Sequence, residues 1–299
     1  MRRNAYLFGG TALLAAAAGM LLRITELTTL LDRRNMLMVR GAASFILLGL
    51  AVLALAAFAL LARKWQVPEL PARYGPVFRG SGNLTVSAVC FAAMLGGAAL
   101  CLLRWKREGN AFSVWLGLFA VLAGCGLLSL SLDAYRKKAK GCTLLAAAMP
   151  VIFAVLLLIS FYKKYAPIPA MLYTLYPFLA LTADMVGLHL IAGFAGERIR
   201  PRWTVFFCGV GTVLSMISLP GVPETEVRIF LAAFALELFS HAMTLLTPRE
   251  FKAEDFTGPA EASVEETAAA EAPAEEMPVE ASENAAPADN AEAAPDEAE

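Results

Sequence analysis

Two carboxylates in the chain are each followed by one of its only two histidines. Asp184 precedes His189 by five residues, and Glu237 precedes His241 by four. Carboxylate–imidazole pairs suit proton transfer, because burial brings the affinities of both groups near neutral pH. Two acids and two imidazoles are also a ligand set that zinc accepts. The spacing distinguishes the two pairs. Four residues turn a helix by roughly one revolution, so Glu237 and His241 share a face. Five residues leave Asp184 and His189 offset by about 140°. One face presents both only if that helix is distorted.

Both pairs lie inside long apolar stretches, and those stretches set the medium. An apolar run of roughly 20 residues matches the ~30 Å hydrocarbon thickness of a bilayer at ~1.5 Å per residue. Eight such runs are expected, at about 5–27, 38–62, 83–103, 111–134, 142–162, 168–196, 203–220 and 224–247. Hydrophobic residues make up 58% of the chain and charged residues 17%, against about 25% charged in soluble domains. The fold class predicted is all-α: a polytopic transmembrane helical bundle with a disordered acidic tail. The sixth run opens with Pro167 and Pro169 and contains Pro177, which removes a backbone donor and should kink the helix. The eighth begins with Pro223, Glu224 and Glu226, residues that suit a first helical turn.

A charge at a helix centre costs about 2.5–3.5 kcal/mol on insertion scales, against about 0.3–0.6 gained per Leu, Ile, Phe or Val. The eighth run has nine such residues from Ile229 to Leu246, a gain of about 3–5 kcal/mol that Glu237 alone nearly cancels. A helix of that kind belongs inside the bundle, with Glu237 protonated, hydrogen-bonded or paired. Three roles are consistent with the four residues. In the plainest, Asp184, Glu237, His189 and His241 are interhelical polar glue in a non-enzymatic structural or interaction component. In the second, the acids bind and release protons or a cation and the histidines relay toward the cytosol, as in a coupled small-molecule transporter. In the third, the four hold a metal, or a quinone as in membrane anchor subunits. No cofactor is strongly implied.

Charge is segregated along the chain. Residues 1–252 hold all 25 Lys and Arg with 11 acids, and residues 253–299 hold 15 acids and no base. The tail is Ala, Glu and Pro with Phe256 its only aromatic. It lacks the apolar surface needed to offset the entropy of ordering. Such a tail is a solubilising segment or an arm for a basic partner. With the N-terminus inside, 15 bases fall on inside segments and 10 outside, which places both termini in the cytosol. Short loops and the Ala-rich tail suggest a bacterial plasma membrane. Arg2 and Arg3 ahead of an apolar run with Ala15-Ala16-Ala17 resemble a signal peptide, but apolar residues continue through Leu22 and resume at Leu27, Leu30 and Leu31. An uncleaved first helix is expected.

The remaining features have ordinary explanations. The segment from Arg63 to Gly82, rich in Pro and Gly, is expected to be a cytosolic linker, with a re-entrant or interfacial loop as the alternative. Cys90, Cys101, Cys125, Cys142 and Cys208 are scattered without metal or redox spacing and are expected to be small packers. Ala93 with Gly97, Ala120 with Gly124, and Gly211 with Ser215 are small residues four apart, which let helices approach closely. Arg23 and Glu26 suit an intrahelical pair near the interface. Trp65, Trp105 and Trp203 sit where interfacial anchors are expected. No phosphate-binding glycine loop, nucleophile elbow or zinc-protease helix is present. No nucleic-acid partner is expected, and the lipid bilayer is the one partner required.

Overall fold

Eight helices long and apolar enough to cross a membrane make up the described chain, and they fall where hydropathy places them. They are α1 (Arg2–Thr29), α2 (Ala42–Lys64), α4 (Ser81–Glu108), α5 (Ala111–Arg136), α6 (Thr143–Tyr165), α7 (Met171–Ala195), α8 (Pro201–Ser218) and α9 (Thr225–Leu246). A short helix, α3 (Tyr74–Phe78), lies between α2 and α4. A two-residue hairpin, β1 (Leu31–Asp32) with β2 (Leu37–Met38), pairs antiparallel between α1 and α2. The computed structural model describes residues 2–29, 31–32, 37–38, 41–65, 67–68, 70–71, 73–136, 143–165, 171–247 and 251. The acidic tail at 253–299, Cys142, Pro167 and Pro169 lie outside the described residues.

The bundle is sorted the way lipid, not water, requires. Large apolar side chains face outward all round it: Leu14 is 74% exposed, Leu53 67% and Phe45 66%. The interior holds small and polar residues such as Ala120, Ala154, Ser87 and Asp184, all fully buried. A bilayer removes the hydrophobic drive between helices and leaves close packing and interhelical hydrogen bonds to hold them. These faces fit a multi-pass membrane protein.

Helices α8 and α9 are the central pair. Of their most apolar stretches 72% and 61% are buried, against 28–44% for the other six spans. Helix α8 packs on α1, α2, α7 and α9, and α9 packs on α4, α7 and α8. Tertiary contacts fix the alternation of the spans. Gly9 of α1 lies against Met243 near the end of α9, and Arg23 at the other end of α1 lies against Gly221 and Tyr176. The bundle therefore has an N-terminal end and an opposite end, and each helix runs between them.

Two prolines sit inside spans, Pro150 in α6 and Pro177 in α7, and both helices continue through them. Pro150 has no N–H for the carbonyl of Ala146, four residues earlier. That carbonyl faces Gly126 of α5, where a Cβ would stand only 2.4 Å from it. A glycine here lets α5 close onto the backbone group that proline released.

The segment from Arg63 to Gly82 is more than a linker. Trp65, Tyr74, Val77 and Phe78 are all buried, and α3 packs against α5, α7 and α9 at the N-terminal end. The expectation of a plain, unpacked linker is corrected. The cause is aromatic: Phe78 stacks edge-on against Phe194 with ring centres 5.1 Å apart, and Tyr74 and Phe78 both contact the His241 ring. Trp65 accordingly is a core residue, while Trp105 and Trp203 are exposed near span ends as expected.

Candidate functional site

Glu237 sits at the middle of α9, fully buried, and is held by α4. Its Oε1 accepts a hydrogen bond from Ser87 Oγ at 2.8 Å, and Ser87 Oγ is 2.7 Å from Ser131 Oγ of α5. Its other oxygen, Oε2, has no hydrogen-bond partner among the described residues. One turn on, His241 Nδ1 lies 2.9 Å from the backbone carbonyl of Glu237 and 3.6 Å from its Oε1. A carbonyl only accepts, so Nδ1 carries a proton; in the neutral ring Nε2 is then an acceptor. Tyr74 Oη, 2.7 Å from Nε2, donates to it. Burial, with the Glu237 charge adding to it, pushes the Tyr74 phenol above its ordinary range, so it stays a donor. Beside this chain, Ser240 Oγ donates to Asn83 Oδ1 at 2.7 Å.

Asp184, on α7, is also fully buried but belongs to a separate arrangement. Its Oδ2 accepts from Ser215 Oγ of α8 at 2.6 Å, and its Oδ1 has no partner among the described residues. Gly211, one turn before Ser215, makes room for it: a Cβ there would stand 2.7 Å from Asp184 Oδ1. The small-residue pair Gly211 and Ser215 thus receives a carboxylate as well as permitting close packing. Leu238 of α9 fills the other side, touching the Cβ positions of both Gly187 and Gly211. Asp184 and Glu237 share no hydrogen-bond partner among the described residues.

The two acid–imidazole pairs are therefore unequal. Glu237 and His241 meet; His189 is exposed on α7 while Asp184 is buried. The 140° offset of an undistorted helix produces this, and Pro177, placed before both residues, does not remove it. Nor do the four residues assemble as metal ligands: among the described residues no three His, Cys, Asp or Glu side chains converge.

The structure adds a third polar place at the opposite end of the bundle. A pocket of about 420 Å³ opens between α4, α5, α6 and the start of α9. Its rim is ionic. Arg104 donates to Glu108 at 2.9 Å and to Glu226 at 2.5 Å, while Lys164 and Tyr165 donate to Oε1 of Glu224. Its floor is apolar, formed by Leu116, Leu157 and Val227. Beneath the floor lies an aromatic layer. Phe153 meets Phe230 edge-on at 4.9 Å and Phe234 at 5.9 Å, all three fully buried. Gly97 accepts the Phe230 ring, where a Cβ would stand 2.3 Å away.

Reading the sequence placed Glu224 and Glu226 at a helix start and counted Lys163 and Lys164 among the ten bases outside. It did not join them, because they come from helices 60 residues apart. Tyr74, Ser87 and Ser131 were missed for the same reason: a lone hydroxyl carries no motif, and its partner is fixed only by packing. The chain matches no known protein family, no curated protein and no solved structure.

Proposed function

We propose that this chain is a carrier that moves a small molecule across a membrane in exchange for, or together with, a proton held at Glu237. One observation carries the proposal: α9 threads the ionic pocket, the aromatic layer and the buried carboxylate in a single line. Glu226 at the pocket and Glu237 are 11 residues apart, about 16 Å along the helix. Phe230 and Phe234 lie between them. On the other side His241 and Tyr74 continue the line toward α3, which covers the N-terminal end. That is a pocket open to one face and sealed from the other, with an ionisable group in the seal.

The unpartnered oxygens favour this over polar glue. A purely structural carboxyl should have its buried atoms satisfied, and Glu237 Oε2 and Asp184 Oδ1 find no partner among the described residues. Pro150 supports it too, since it lies within α6 less than one turn before Phe153 and gives that helix a place to bend. The bias of basic residues puts the N-terminal end in the cytosol, so the pocket faces outward, and we assign the membrane to a bacterial plasma membrane. The acidic tail then lies in the cytosol, where a basic partner is available to it.

Proton movement tests the carrier role without a known ligand. Purified protein is placed in liposomes loaded with a pH-sensitive dye, and amino acids, organic acids and sugars are added outside in turn. At least one should drive a change of internal pH in the wild type and none in Glu237→Gln, which keeps the acceptor for Ser87. No response to any of them, or the same response in the variant, overturns it.

A further inference from the structure

Among the described residues, the outer pocket is lined by one buried carboxylate oxygen without a donor and one lysine without an ion pair. Glu224 is 7% exposed at its side chain and lines the pocket. Both of its donors, Lys164 and Tyr165, reach the same oxygen, Oε1, and Oε2 has none among the described residues. Lys163 also lines the pocket, is exposed, and has no ion pair among the described residues, whereas Arg104 and Lys164 are both paired. The terminal torsion of a glutamate is soft, so a small turn of the carboxylate presents Oε2 to the cavity. Below, Leu116, Leu157 and Val227 offer an apolar surface.

We infer that this pocket binds a small zwitterion with an apolar side group, of the size and charge pattern of an amino acid. Its ammonium goes to Glu224 Oε2, its carboxylate to Lys163, and its side group to the apolar floor. A ligand with one charge leaves either the carboxylate or the lysine unmatched. A sugar leaves both. The cavity, about 420 Å³, lies at the lower end of the ~300–1,000 Å³ range of ligand pockets. The inference names the substrate class for the carrier proposed above, yet it concerns equilibrium binding and is read without any flux.

The test is calorimetric or thermal-shift binding to the full-length protein in nanodiscs. The probes are the common L-amino acids, leucine methyl ester, which lacks the carboxylate, and 4-methylpentanoate, which lacks the ammonium. L-Leucine or another apolar amino acid should bind, and removing either charge should weaken binding about ten- to a hundredfold. Glu224→Gln should weaken the amino acid by a similar factor and leave 4-methylpentanoate unchanged. Lys163→Ala, an exposed change that leaves folding intact, should lower the amino acid to the level of its ester and leave the ester unchanged. Absence of binding by every amino acid overturns the inference. So does equal binding of the singly charged probes, or indifference to Lys163→Ala. Binding with no proton movement would keep the pocket and remove the carrier; proton movement driven by a sugar would do the reverse.

Discussion

Tyr74 Oη lies 2.7 Å from His241 Nε2, joining two residues 167 positions apart through the shortest α-helix in the described chain. This bond ties α3 to α9 one turn beyond Glu237, so it links the seal at the N-terminal end to the buried acid. Tyr74→Phe leaves Nε2 buried without a donor, which should cost about 1–3 kcal/mol. A double-mutant cycle with His241→Phe, followed by thermal unfolding in nanodiscs, should return a coupling of at least 0.5 kcal/mol. Additive losses would mean the bond is not made.

The same phenol gives a pH dependence with a definite sign. Burial raises its proton affinity in the folded chain above the ordinary value of 10.0. Above that pH the unfolded chain releases a proton that the folded chain retains, so folding stability falls as pH rises. The alkaline loss should be smaller in Tyr74→Phe than in the wild type, measured as unfolding temperature across an alkaline series.

Gly97 is required by the Phe230 ring. Since a Cβ would stand 2.3 Å from it, Gly97→Ala should cost about 1–3 kcal/mol through overpacking. Adding Phe230→Leu should recover much of that loss in thermal unfolding while opening the aromatic layer. Opening should show as raised proton leak through the bundle in dye-loaded liposomes.

Arg23 and Glu26, paired at 2.5 Å, are nearly inaccessible, and Ser44 of α2 also donates to Glu26 at 2.5 Å. Glu26→Ala removes one charged partner of a fully buried guanidinium, a change worth about 3–5 kcal/mol. Detergent-induced unfolding should register it as one of the most damaging single changes in α1. Glu26→Gln should be milder, because Ser44 keeps a partner.

How much of this was legible beforehand follows from distance along the chain. The spans were readable because hydropathy is local: the expected 111–134 and 203–220 became Ala111–Arg136 and Pro201–Gly221. Glu237 with His241 was readable because one helical turn joins them. Asp184 with His189 carried its own warning in the five-residue spacing, and the helix obeyed it. Reading Arg23 and Glu26 as a pair was right in its partners but missed their burial, which depends on Gly221 and Tyr176 from the far half of the chain. Likewise α3 looked like a linker because five residues of Tyr, Gly, Pro, Val and Phe declare nothing until Phe194 and His241 are set against them. The ionic pocket needed four helices at once.

Glu237 is the group on which proton coupling depends, and infrared difference spectroscopy observes it directly. Nanodisc-embedded protein would be moved from one buffer to another while the carbonyl band of protonated carboxyl groups is recorded. The two buffers are matched in pH, one in H2O and the other in D2O. The expected result is a carbonyl band that shifts on deuteration in the wild type and is missing from Glu237→Gln. Identical spectra in the two proteins, or a Glu237 band that does not shift, would show that this carboxyl does not exchange its proton and would contradict its role.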